Sequence, residues 1–218
     1  MNIFWFRRDL RVDDNVGFFH ALNSDEEVLP IFIFDEIILS QLPKNDARVS
    51  FIHEQLEKIQ LELKKHGKSL AVFHGKPIEI FEKLLAENTI SSVYTNHDYE
   101  PYARKRDKEM NQLFVSKGIS FLTSKDQVIF EKSEVVKDDR SPYVVYTPYS
   151  KKWKENFKKI KLVHYPSEEK LDKIVKHSYP FLSLADIGFE KSEIKVTPFD
   201  VSEGLIQNYE ATRNFPAL

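Results

Sequence analysis

Ile3-Phe4-Trp5-Phe6 is apolar without a break, and a packet of three arginines and three aspartates follows at once in Arg7-Arg8-Asp9-Leu10-Arg11-Val12-Asp13-Asp14. A strand with one wet face alternates apolar and polar residues. A continuous apolar run is what a strand buried on both faces shows, and such strands belong to parallel sheets sandwiched between helices. The run therefore predicts an α/β chain. It puts the charged packet at the carboxyl end of the first strand, where open α/β sheets bind ligands.

The next 120 or so residues repeat that rhythm. Strands are expected at 2–6, 28–34, 69–73, 92–95 and 119–123. Pro30 sits near the start of the second run, where a missing N–H is tolerated. The first helix is expected to take Asp13 or Asp14 as its N-cap and to turn Val16, Phe18, Phe19 and Leu22 inward. A long helix over about 46–66 has Val49, Ile52, Leu56, Ile59 and Leu63 in one stripe and Gly67 as its stop. Pro77 opens a third helix, with Ile80, Phe81, Leu84 and Leu85 inside. A charged helix over 102–117 ends at Gly118. This succession predicts a Rossmann-like five-stranded parallel sheet in the order 3-2-1-4-5, with right-handed crossovers and helices on both faces.

Beyond Lys125 the rhythm changes. Short strands or extended segments around a turn at 137–142 are expected at 128–130 and 144–146, and a helix over 148–160 carries Trp153 and Phe157. A lysine- and glutamate-rich stretch over 161–197 reads as a linker wrapping a surface, and a last amphipathic helix is expected over 201–213. The expected organisation is an α/β domain over 1–130, an extension and linker over 131–200, and the start of a further unit over 201–218.

Several chemistries are excluded. The chain has no cysteine, so disulfides and thiolate ligands are ruled out. Its seven histidines are scattered, without metal-ligand spacing. No G-x-G-x-x-G, P-loop or G-x-S-x-G occurs, and with 6 glycines against 17 phenylalanines a glycine-rich phosphate cradle is not expected. The formal net charge of −2 is not that of a global polyanion binder. No signal-like segment or membrane-length apolar run is seen, so a cytoplasmic location is the default expectation.

Three strand ends should converge on one crevice: Arg7-Arg8-Asp9, Asp35, and Asn96-His97-Asp98-Tyr99-Glu100, with Arg48 on the same edge. Such a crevice suits a planar heteroaromatic ligand. Asp98 and Glu100 can accept from ring nitrogens, and Arg48 can stack on a ring or pair with a phosphate. Each feature also has a plain reading. The packet can be an ion-pair and capping network, Asp98 and Glu100 can cap the following helix, and Trp5 can be core. Lys151, Lys152 and Lys154, like Arg104-Lys105-Arg106, read as solvated helix faces.

Phe4-Trp5-Phe6-Arg7-Arg8-Asp9-Leu10-Arg11-Val12-Asp13-Asp14-Asn15 closely resembles the opening motif of the DNA photolyase/cryptochrome family. Phe32-Ile33-Phe34-Asp35, Asp98-Tyr99-Glu100-Pro101-Tyr102 with Arg106-Asp107, and Tyr146-Thr147-Pro148-Tyr149 with Trp153 resemble later motifs in the right order. Tyr209 with Arg213-Asn214-Phe215-Pro216 is similar to the segment leading into that family's helical domain.

The resemblance implies the N-terminal domain of a light-driven DNA repair enzyme, which holds a light-harvesting antenna chromophore. FAD and the damaged DNA would belong to a C-terminal helical domain whose motifs have no counterpart here. This chain alone is then not expected to be catalytic. The antenna is expected to be 8-hydroxy-5-deazaflavin or FMN rather than methenyltetrahydrofolate, because Tyr102-Ala103 stands where folate-binding members carry Asn-Glu. Some relatives leave the antenna site empty. Carried over by resemblance, the contacts are Asp98, Arg48 and the backbone of Phe34-Asp35-Glu36. Glu100 and Tyr102 complete the same motif, and Arg7 forms a wall. Two alternatives stand beside this reading: the same domain of a cryptochrome photoreceptor, and a free-standing flavin- or nucleotide-binding protein.

Overall fold

The computed structural model describes residues 1–194 and 202–214. Five parallel strands form one sheet: β1 (Asn2–Phe6), β2 (Val28–Asp35), β3 (Ala71–Gly75), β4 (Ser92–Asn96) and β5 (Ser120–Ser124), in the order β3-β2-β1-β4-β5. The helices are α1 (Val16–Leu22), α2 (Glu36–Leu39), α3 (Ala47–Lys65), α4 (Pro77–Glu87), α5 (Pro101–Ser116), α6 (Tyr146–Phe157) and α7 (Glu203–Thr212). The expected fold and strand order are therefore found. The third strand lies two residues later than expected.

The unbroken apolar run explains the layers. Successive side chains of a strand point to opposite faces. Phe4 and Phe6 join Phe18 of α1 and Val49, Leu56 and Leu63 of α3 in one core, while Ile3 and Trp5 join Phe81 of α4 and Met110 and Phe114 of α5 in the other. Phe4 meets Phe6 and Trp5 meets Phe81 edge to face, with ring centroids 4.6 and 5.1 Å apart. Pro30 is harmless because the β2–β3 pairing begins only at Ile31.

Two local expectations are corrected. The N-cap of α1 is Asn15, whose side chain accepts from the Phe18 N–H, rather than Asp13 or Asp14. Asp14 instead takes a left-handed φ of 46°, and its carboxylate accepts from the Tyr165 N–H. Residues 128–130 and 144–146 form no strands, and Tyr146 already opens α6.

The extension completes the body. Leu171, Ile174, Ile187 and Phe189 are buried in the α1/α3 core. Val175 donates to the Val28 carbonyl, Val72 of the edge strand donates to Pro180, and the His53 imidazole lies 3.0 Å from the Leu182 carbonyl. An edge strand with unpaired backbone is a liability, and here the returning chain satisfies part of it.

α1 lies so close to β4 that only glycine fits at its second position. Gly17 donates to the Asn96 Oδ1 at 2.8 Å, and a Cβ on Gly17 would stand 2.6 Å from that oxygen and 3.1 Å from the Phe4 ring. Gly17→Ala is therefore expected to destabilise the fold by ~1–3 kcal/mol in urea unfolding. Adding Asn96→Ala in that background should cost less than it does in the wild type, because it also removes the oxygen that the new Cβ meets. Additive effects of the two changes would refute the close approach.

Candidate functional site

At the carboxyl ends of β1, β2 and β4 the sheet opens into a cleft of about 730 Å³. Strand order puts it there: the connections leaving β1 and β4 run toward opposite edges, so no helix fills the gap between them. Arg7, Phe34, Asp35, Arg48, Asp98, Glu100 and Tyr102 all line the cleft. Glu36 is the exception. It opens α2, is exposed, and is not among the lining residues.

The floor is built on Trp5. The guanidinium groups of Arg7 and Arg106 lie 5.1 and 4.9 Å from its ring centroid. Arg7 is fully engaged: it donates to Asp107 at 2.6 Å, to the Thr95 hydroxyl at 2.8 Å and to the Asn96 carbonyl. It ties β1 to β4 and α5 and forms a wall of the cleft.

Arg106 differs. Its side chain is only 9% exposed. Its Nε and Nη2 reach Asp107 at 3.4 Å, while Nη1 has no hydrogen-bond partner among the described residues and lies 4.0 Å from Asp35. Burial, with Arg7 beside it, pushes its pKa down. The expectation that Arg104-Lys105-Arg106 is a solvated helix face is thus corrected at Arg106, which is buried; the signal in the sequence is that it stands one helical turn after Tyr102 and shares its face.

Asp35 has two duties. One oxygen caps α2 through the Ile37 N–H at 3.0 Å, and the other accepts from the Tyr102 hydroxyl at 2.6 Å. Tyr102 thus spans from the start of α5 to the end of β2. Burial and the Asp35 carboxylate both hold its hydroxyl proton well beyond the ordinary tyrosine range. Asp98 pairs with the Arg8 Nε at 3.3 Å, and Glu100 lies 3.8 Å from the same guanidinium. Glu100 occupies the N-cap position of α5 without making a side-chain cap bond. Arg48 sits on the rim, 72% exposed, and reaches back 2.7 Å to Asp46, the N-cap of α3. Ile37 and Ile38, at 42% and 44% exposure, form an apolar lip with Leu42 and Ile52.

The family model for DNA photolyase matches residues 2–170. The chain belongs to the DNA photolyase family. Its α/β body corresponds to the family's N-terminal domain, and the family binds flavin and antenna cofactors.

The deoxyribodipyrimidine photo-lyase of a Synechococcus species is 30% identical over 69% of this chain and 31% of its own length. An uncharacterized 31.6 kDa protein of another Synechococcus strain is 28% identical over 99% of this chain and 80% of its own. The crystal structure of the archaeal photolyase from Sulfolobus tokodaii, described as containing two FAD molecules, superposes with a TM-score of 0.64 at 25% identity. That match covers 89% of this chain and 43% of the archaeal one. The chain thus spans about a third to a half of the photolyases it matches. No helix among the described residues is long and apolar enough to cross a membrane.

The two perturbed tyrosines give a pH signature. Tyr99, pushed up to about 12 by burial and Glu131, and Tyr102 hold their protons more tightly folded than unfolded, where tyrosine titrates at 10.0. The folded state then binds more protons, so this stabilisation is complete below pH 10.0 and is lost as pH rises through the folded values. Urea unfolding from about pH 8 to about pH 11 should show stability falling at the alkaline end. Tyr102→Phe should lower stability at neutral pH by ~1 kcal/mol and make the alkaline fall shallower. An unchanged slope would show that Tyr102 is not held by Asp35.

Proposed function

We propose that the cleft is the antenna-chromophore site of a DNA photolyase. The observation that carries this reading is Arg106, a buried cation with an uncommitted donor beneath an apolar lip. Arg106 lines the cleft with Nη1 lacking a hydrogen-bond partner among the described residues, and a hydrogen bond from a charged donor to a ligand acceptor contributes roughly 1.5–3 kcal/mol. A planar heteroaromatic ring with a carbonyl or nitrogen edge supplies both the acceptor and the apolar faces. Ile37, Ile38, Leu42 and Ile52 would cover the ring. Arg106 would donate to its acceptor edge, and Asp98 would orient it. When bound, the chromophore supplies absorption of near-UV or blue light.

8-Hydroxy-5-deazaflavin or FMN fits this set better than methenyltetrahydrofolate. Tyr102 commits its hydroxyl to Asp35, and Tyr102-Ala103 replaces the Asn-Glu pair of folate-binding members. Arg48, exposed on the rim, is the group suited to a phosphate tail. In this reading residues 1–130 form the antenna domain, 131–200 the extension and linker, and 201–218 lead into a helical domain of the full-length protein. That domain would hold FAD and damaged DNA and would split cyclobutane pyrimidine dimers. A second reading, an α/β chromophore protein working without such a domain in its own chain, is favoured by the 31.6 kDa relative, of which this chain covers 80%.

Purified chain incubated with 8-hydroxy-5-deazaflavin or FMN should retain the chromophore's visible absorbance through gel filtration. Asp98→Ala should weaken binding about ten-fold, ~1.4 kcal/mol. Absence of calorimetric binding to both compounds and to methenyltetrahydrofolate would end the antenna assignment. The same chain is expected not to repair dimer-containing oligonucleotides under light, with or without added FAD. Measurable repair would overturn the division of labour between the domains.

A further inference from the structure

A second concave pocket, of about 460 Å³, lies on the other side of the segment that follows β4, with Asp98 lining both it and the cleft. We infer that this pocket binds a phosphate group, through Arg104 and Lys132 with the Thr123 hydroxyl and His97 at its wall. The inference is independent of the chromophore reading.

The charge arrangement is the starting point. Every carboxylate at this pocket already has a basic partner. Asp98 pairs with Arg8 at 3.3 Å, and Asp107 pairs with Arg7 at 2.6 Å. Glu131, behind the wall, takes the His97 Nδ1 at 2.5 Å and lies 3.5 Å from the Tyr99 hydroxyl. Arg104 and Lys132 line the same concavity, and among the described residues their side chains have no ion pair or hydrogen bond. Two cations are thus left over at one pocket. Uncompensated like charges facing one concavity raise its potential and favour a dianion there.

The donors are also held in place. The His97 Nε2 lies 3.0 Å from the Thr123 Oγ1, so Glu131, His97 and Thr123 form a chain running from the wall to the pocket. Tyr99 stays protonated across the physiological range, since burial and Glu131 push it up to about 12. Lys132 takes a left-handed φ of 46°, a conformation that costs a non-glycine residue free energy. A reciprocal capping box between Glu131 and Glu134, reinforced by Lys125 at 2.8 Å, keeps that turn in place. Lys132 on this turn and Arg104 on α5 line the same pocket. A guanidinium fork and an ammonium lining one pocket from two elements suit the several oxygens of a phosphate.

Free phosphate and a nucleotide's phosphomonoester present the same chemistry, so the test has two arms. Inorganic phosphate and AMP are titrated separately at low ionic strength into the full chain, following the His97 imidazole signals by NMR and the heat by calorimetry. Saturable one-to-one binding with a shift at His97 is expected for at least one probe. Tighter binding of AMP would assign the source as a nucleotide, and equal binding would assign it as free phosphate. Arg104→Gln with Lys132→Gln, both surface changes that should leave the fold intact, is expected to weaken binding at least about ten-fold. Ile38→Ala, in the cleft, should leave it unchanged. No saturable binding of either probe, or equal affinity in the double variant, would overturn the inference.

Discussion

The structure depends on one buried carboxylate. Asp9 accepts the Arg7 N–H and the side-chain amides of Asn15 and Asn96. Asn15 in turn caps α1 through the Phe18 N–H, and Asn96 accepts from Gly17 in the same helix. A buried charge is tolerable only when it is paired or amply hydrogen-bonded, and these three donors meet that requirement. The network therefore fixes where β1 ends, where α1 begins and how closely α1 lies on β4.

From that knot the chain turns out of the sheet, and two consequences follow for the cleft. Arg7 is drawn toward Asp107, Thr95 and Asn96, which closes the crevice floor on the β4 side. Trp5, the penultimate residue of β1, is roofed by two guanidinium groups, so a buried aromatic becomes part of a polar floor. Asp35 plays the corresponding role on the β2 side, joining the apolar lip of α2 to Tyr102. The cleft is thus a gap whose two walls are tied below by side chains of unlike strands.

The opening packet shows where sequence reading works and where it stops. Its arginines and aspartates read as a network among themselves, yet each arginine pairs with a carboxylate outside the packet: Arg7 with Asp107, Arg8 with Asp98 and Arg11 with Asp126. Which aspartate would be buried was not legible, because Asp9, Asp13 and Asp14 differ only in the direction the backbone gives them. Asn15, a better cap than either neighbouring aspartate here, was hidden by them. Arg106 belongs to the motif-like segment from Asp98 to Asp107, yet its significance depends on one donor, Nη1, without a hydrogen-bond partner among the described residues. That is a property of distances to Asp35 and Asp107, which no spacing rule contains. The extension likewise lacks periodicity, since it packs on the sheet through isolated residues such as Leu171 and Ile174 rather than through a helical face.

The sequence by itself determined the sheet. Apolar runs without alternation require strands covered on both sides, and the helical stripes between them supply the cover. With right-handed crossovers this left few orders for five strands, and the expected order is found. It also brought Arg7, Asp35, Asp98 and Glu100 to one cleft, because a parallel sheet sends every strand's carboxyl end to the same edge; Phe34 and Tyr102, named by the family resemblance, line it too. Only the tertiary structure decided which of those groups are already spent on one another. Arg7 and Tyr102 are committed to neighbours 100 and 67 residues away, while Arg106 Nη1 has no hydrogen-bond partner among the described residues and Arg48 stands exposed on the rim, paired with Asp46. Hydrogen bonding saturates, and which donor meets which acceptor is settled by three-dimensional distance rather than by residue type.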